Sequence, residues 1–241
     1  MSLPGPAEYA AHDSAHHHSD VSGGWLRAAV FGAMDGLVTT IALVAGVGGG
    51  GADRQVIILT GVAGLVAGAF SMALGEFASV GTQNDAVANE VRVERDEIAR
   101  HPDAEQAELA GMYRQMGLSE GTAAAVAREV HADPDLAVRV HITQELGVDP
   151  DDQPSPWTAA GSSFLAFAIG GVIPLLSYLL GSSSLALSLA IGGVGLFVAG
   201  ALTSRFTTRS WWLAGLRQLG FGAIAATATY VVGTAIGVSV T

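Results

Sequence analysis

Five stretches of the chain are apolar on all sides, at residues 25–47, 56–80, 157–180, 184–203 and 211–240. About 20 mostly apolar residues cross a hydrocarbon core. A helix that is apolar all round lies in a large core or in lipid, whereas a surface helix shows a single apolar stripe. These stretches exceed the length of ordinary soluble core helices, and the ~10-residue alternating segments of transmembrane β-strands are absent. The pattern predicts an all-α integral membrane protein with five transmembrane helices. The first stretch is too long for a signal peptide and lacks a basic start and a small-residue cleavage site.

Residues 83–153 break the pattern. They form a polar insertion between spans two and three that reads as three helices, or four if the short third one is separate. The first, over 85–100, can continue span two without a break. It should stop at His101-Pro102, because the residue before proline disfavours the helical region. Asp103 is expected to cap a second helix over 104–116, closed by Gly117. Ser119 is expected to cap a third over 120–131, and Asp133-Pro134 opens a last helix that ends near Gly147. A proline-rich linker, 149–156, leads back to the membrane. The chain thus divides into a flexible His-containing tail (1–24), spans one and two (25–82), a helical domain (83–153) and spans three to five (154–241).

Composition sharpens this division. Charged residues make up 14% of the 241, against about 25% in soluble domains. Residues 85–152 hold sixteen of the twenty-two acids and six of the eleven arginines, hence −10 of the net −11. No basic patch exists for nucleic acid. Cysteine is absent, so a metal site must use Asp, Glu, His, Met or backbone oxygen, which suits Fe2+, Mn2+ and similar cations better than Cu(I). Arg27, Arg205, Arg209 and Arg217 flank one set of span ends, and Arg54 alone votes against them. The positive-inside rule then puts the N-terminus and the inserted domain in the cytoplasm. His12, His16, His17 and His18 in the tail are weak metal ligands or incidental.

Candidate chemistry follows from spacing. Glu90, Glu94 and Glu97 share one helix face, as do Glu105 and Glu108 on the next helix and His141 and Glu145 on the last. Paired ligands one turn apart on facing helices are how bundles build carboxylate metal sites; solvated acidic faces give the same spacing. Within the membrane, Asp35 lies about ten residues into span one, or ~15 Å along it. A charge there costs at least ~3 kcal/mol unless paired or wetted, which points to an ion or proton path or to a structural hydrogen bond. Gly36 beside it could loosen the helix. Met72 and Glu76 stand one turn apart on span two. Pro174 predicts a kink, and Gly64/Gly68 and Gly233/Gly237 predict close helix packing. No G-x-x-x-x-G-K-[ST] loop is present, so no nucleotide is expected.

Several segments together resemble the vacuolar iron transporter family: RAAVFGAMDG (27–36), GAFSMALGEFAS (68–79), NEVRVER (89–95), HPDAEQAEL (101–109), QELG (144–147) and GGVIPLL (170–176). The likeness covers nearly everything after residue 24. It implies five transmembrane helices, a homodimer with its pathway at the subunit interface, and a cytoplasmic metal-binding domain between spans two and three. It also implies transport of Fe2+ or Mn2+ out of the cytosol, in exchange for protons. By this resemblance Glu94, Glu97, Glu105, Glu108 and Glu145 match the family's domain carboxylates, and Asp35 and Met72 match its membrane pathway. Better-known eukaryotic members have a carboxylate where this chain has Gly64; Glu76, one turn beyond Met72, is the substitute here. They also have methionines where His141 and Ile142 stand, an exchange that hardens the site and admits Zn2+ beside Fe2+ and Mn2+. The expected setting is a prokaryotic plasma membrane, with no resident cofactor.

Two other readings compete. In one, the spans merely anchor a metal sensor or store. In the other, the carboxylate helices form a di-iron enzyme. That chemistry usually uses Glu-x-x-His pairs, and no Glu here has a His three residues later, so a non-enzyme is expected.

Overall fold

The computed structural model describes residues 24–206 and 208–240. The His-containing tail therefore lies almost wholly outside the described residues. Among the described residues eight α-helices follow one another: α1 (Gly24–Gly49), α2 (Arg54–Arg100), α3 (Pro102–Gln115), α4 (Glu120–Val130), α5 (Pro134–Leu146), α6 (Pro156–Leu179), α7 (Leu185–Thr203) and α8 (Trp211–Val240). A 3-10 turn, Ser204–Phe206, follows α7. Helices α1, α2, α6, α7 and α8 are each long and apolar enough to cross a membrane.

Local chemistry sets most of the boundaries. Asp53 caps α2 by accepting the Val56 N–H, 2.9 Å. Ser119 caps α4, Ser155 caps α6 and Ser184 caps α7. Asp133 accepts the N–H groups of Asp135 and Leu136 at the start of α5, and Gly147 ends that helix at φ +68°. These side chains satisfy amide donors that have no partner within the helix. One expected cap fails. Helix α3 begins at Pro102 with His101 before it and no side-chain capping bond; Pro102, which needs no donor, takes the first helical position, so Asp103 falls inside the first turn.

Helix α2 is unbroken over 47 residues, ~70 Å at 1.5 Å per residue. The helix expected over 85–100 thus continues span two without a break, and residue 83 lies within α2. One half belongs to the membrane bundle and the other carries α3, α4 and α5. The projecting unit has its own core of Ile98, Ala137, Val138 and Ile142, flanked by Val91, Val130 and Val148. Arg95 pairs with Asp135 at 2.8 Å and Arg139 with Asp151 at 3.2 Å. Asn84 donates to the Pro154 carbonyl, 3.0 Å, and ties the return linker to α2.

In the bundle α1 touches all four other spans. Its contact with α6 is backbone on backbone. A Cβ at Gly32 would lie 2.6 Å from the Ser163 carbonyl oxygen, and one at Gly36 would strike the Phe167 carbonyl. Gly36 therefore does not loosen α1, which stays helical throughout; it lets two helices meet. Gly233 of α8 likewise presses on Gly46 of α1, and Gly237 on Gly50 in the turn just after α1, whereas Gly64 and Gly68 make room for the Leu43 and Phe167 side chains. Helix α6 runs on through Pro174, whose carbonyl accepts from Ser188 Oγ at 2.6 Å. Leu59, Phe70 and Leu74 on α2 and Ile224, Val231 and Ile236 on α8 are exposed, as lipid-facing or partner-facing side chains are.

The arginines also sort. Arg27 begins α1, and Arg205 and Arg209 lie between α7 and α8, all at the end of the bundle that carries the projecting unit. Arg54, at the other end, donates to the Tyr178 carbonyl at 2.9 Å and so serves the last turn of α6.

Candidate metal centre and membrane pathway

Three helices of the projecting unit bring Glu94 (α2), Glu105 (α3) and His141 (α5) together. One ligand atom from each lies within 4.8 Å of the others. His141 is wholly buried, and Glu94 is nine-tenths buried. His141 Nδ1 is 3.0 Å from Glu94 Oε1, 3.3 Å from Glu145 Oε1 and 3.9 Å from Glu105 Oε2. Of these contacts, the one to Glu145 has hydrogen-bond geometry. Glu94 Oε1 is fully buried yet has no hydrogen-bond partner. An unsatisfied buried carboxylate oxygen is unfavourable by itself. A divalent cation between Glu94, Glu105 and His141 would satisfy it.

The electrostatics agree. Burial raises the Glu94 carboxyl to about 7; His141 opposes that shift, and Glu145, Glu105 and Glu108 add to it. Burial and then Glu108 raise Glu105, against His141, with smaller contributions from Glu145 and Glu97. Such a cluster holds its negative charge poorly alone and gains most from a cation. The remaining expected ligands stand around this centre. Glu145 is at its rim, one-third exposed, and Glu108 and Glu97 act on it by charge. Glu97 also faces His101 at 3.9 Å. Glu90, expected on the same face, is exposed and outside the cluster.

Sequence reasoning missed His131. It stands just beyond α4, and its Nε2 lies 3.1 Å from His141 Nε2 with the rings edge to face. Burial and the neighbouring His141 lower its pKa. The ten-residue separation spans a turn and matches no helical period, so nothing in the spacing marked the pair.

In the bundle, depth along the helices can be counted from the turn between α1 and α2. Asp35 lies ~21 Å from that end, Met72 ~27 Å and Glu76 ~33 Å. Asp35 is half-buried, and its Oδ1 accepts from Thr39 Oγ1 at 3.3 Å, with no cationic partner among the described residues. Met72 is also half-buried. Glu76 is buried and paired with Arg27, 2.9 Å. Arg27 was legible as a flanking charge, but its partner 49 residues on was not.

Comparison with known proteins bears on the whole chain. The VIT family model matches residues 26–234. The chain is 31% identical over 240 residues to Vacuolar iron transporter 1 of Oryza sativa subsp. japonica, covering 97% of this chain and 95% of that protein. It is 37% identical over 205 residues to Vacuolar iron transporter of Acanthamoeba castellanii, covering 80% and 75%. To Vacuolar iron transporter 1 of Arabidopsis thaliana it is 29% identical over 220 residues, covering 89% and 88%. The matched region runs from α1 into α8 and includes the projecting helices, so this multi-pass membrane protein belongs to the VIT family.

Proposed function

We propose that the chain carries a divalent cation, Fe2+ with Mn2+ as a second cargo, out of the cytosol in exchange for protons. The observation that carries this reading is the convergence of Glu94, Glu105 and His141 around a buried carboxylate oxygen that accepts no hydrogen bond. Glu94 of that cluster stands on the same helix as Met72 and Glu76. Oxygen donors with one imidazole suit Fe2+, Mn2+ and Zn2+, and the transported ion is the only metal the reading requires. The names of the relatives, vacuolar iron transporters, favour iron.

In this reading the projecting unit is cytoplasmic, because four of the five arginines that flank the spans lie at its end of the bundle. It gathers the cation and raises its concentration below the membrane. The ion next meets Glu76, which Arg27 must release, then Met72, then Asp35. Protonation of Asp35 from the far side frees it, since a neutral carboxyl holds a cation weakly. A second copy completes the pathway: Asp35 and Met72 are partly exposed on one chain, beside the apolar surface of α2. The membrane is the plasma membrane of a prokaryote.

Fe2+ and Mn2+ flux into proteoliposomes with an imposed pH gradient tests this. Gradient-dependent flux that Asp35→Ala abolishes is the expected result. Absent flux, with Glu94-dependent metal binding intact, would make the protein an anchored sensor or store.

A further inference from the structure

The two ring nitrogens of His141 face different groups, and that asymmetry carries a consequence for the metal centre. Nδ1 looks into the carboxylate cluster, 3.0 Å from Glu94 Oε1, while Nε2 meets His131 Nε2 at 3.1 Å. We propose that His131 is a positioning residue: it accepts the Nε2–H of His141 and so leaves the Nδ1 lone pair facing the cation held by Glu94 and Glu105. This role rests on the metal-binding reading above.

The tautomer of His141 decides which nitrogen can bind a cation. A neutral imidazole has a single N–H. With that proton on Nδ1, His141 donates to Glu145, 3.3 Å away, and has no lone pair for a metal on that side. With the proton on Nε2, the Nδ1 lone pair enters the cluster, but Nε2–H then needs an acceptor. His141 is wholly buried, so water does not supply one. His131 Nε2 is the ring acceptor within hydrogen-bond distance. Metal-bound histidines commonly give their other N–H to such a partner, which fixes tautomer and ring orientation.

The fold holds His131 in place for this. Its backbone N–H closes the last turn of α4 on the Ala127 carbonyl, 3.0 Å. The link to α5 is pinned two residues later by the Asp133 cap. The two rings meet edge to face, 5.2 Å apart at 75°. His131 also lines a cavity of about 340 Å3 beside Arg95, Asp103 and Gln106, so space remains on a further side of its ring. A rival arrangement, a second ion between the two Nε2 atoms, would make His131 a ligand and add one ion per chain.

Co2+ titration of the full-length protein in detergent discriminates these. The part of the visible absorption that Glu94→Gln removes reports this site and discounts the N-terminal histidines. In His131→Ala the Co2+ affinity should fall roughly 10- to 100-fold, with unchanged stoichiometry. The absorption should shift toward the weaker bands of an all-oxygen site. Mn2+, which depends less on nitrogen donors, should lose less affinity. His131→Gln keeps an acceptor and should recover most of the affinity and the original spectrum. An unchanged affinity and spectrum in His131→Ala, or the loss of one ion per chain, would overturn the positioning role while leaving the centre itself standing. Absence of any Glu94-dependent Co2+ signal in the unaltered chain would overturn the metal centre and this role together.

Discussion

Glu76 and Glu94 lie on the same helix, on the same side of it and ~27 Å apart along its axis, since five turns separate them. Both are about nine-tenths buried. Glu76, at the membrane boundary, meets the permanent cation of Arg27. Glu94, in the projecting unit, meets Glu105, Glu145 and a histidine, and one of its oxygens has no hydrogen-bond partner. Burial alone therefore does not favour a cation at a buried acid. The charge that faces the acid decides, and α2 carries both environments on one helix, the proposed cation site at Glu94 and the arginine-paired Glu76.

The largest test of this contrast is Glu94→Gln. It should weaken divalent-cation binding at least ~100-fold, beyond the usual loss from an outer-shell partner, as read by calorimetric titration. Glu76→Gln should leave that binding unchanged and impair flux alone. Equal losses in the two variants would erase the distinction.

The pH dependence comes next. Metal binding needs the carboxylate, and Glu94 titrates near 7. Cation affinity should rise by about tenfold per pH unit below 7, for one displaced proton, and level off above it. Without metal the sign reverses for stability. A carboxyl whose folded pKa lies above its ordinary 4.5 binds more protons folded than unfolded between pH 4.5 and 7. The metal-free unit should then lose stability as pH rises through that window. Melting curves at pH 5.5 and 8, with and without metal, check both signs.

A smaller effect is expected from Arg27→Ala, which strands Glu76. The loss should be about 1 kcal/mol, because the arginine end of the pair is exposed and screened. A double-mutant cycle with Glu76→Gln measures the coupling. The smallest is Glu90→Gln, one turn before Glu94 but in solvent. It should change neither metal affinity nor stability beyond ~0.5 kcal/mol, and any larger loss would restore the spacing-based view that the whole acidic face binds.

Much of this was readable beforehand, and the misses share a cause. Spans, caps and the stop at His101-Pro102 are local, so hydropathy and turn chemistry locate them within a few residues. The mistaken cap at Asp103 was a local competition that proline won. The carboxylate pairs at i, i+3 and i, i+4 were visible on each helix. Which member of each pair turns inward was not, because that depends on how α3 and α5 rotate against α2: Glu94 and Glu105 entered the centre, while Glu97 and Glu108 stayed near its edge.

The sequence by itself determined five apolar spans, one acidic helical insertion and the family, because each is written in composition, period or motif over contiguous residues. Only the tertiary structure decided that Arg27 neutralises Glu76, that Gly36 serves contact with α6 and that His131 stands behind His141. These are relations between residues ten to more than a hundred positions apart. They arise when whole helices pack, and no local period encodes that rotation or depth.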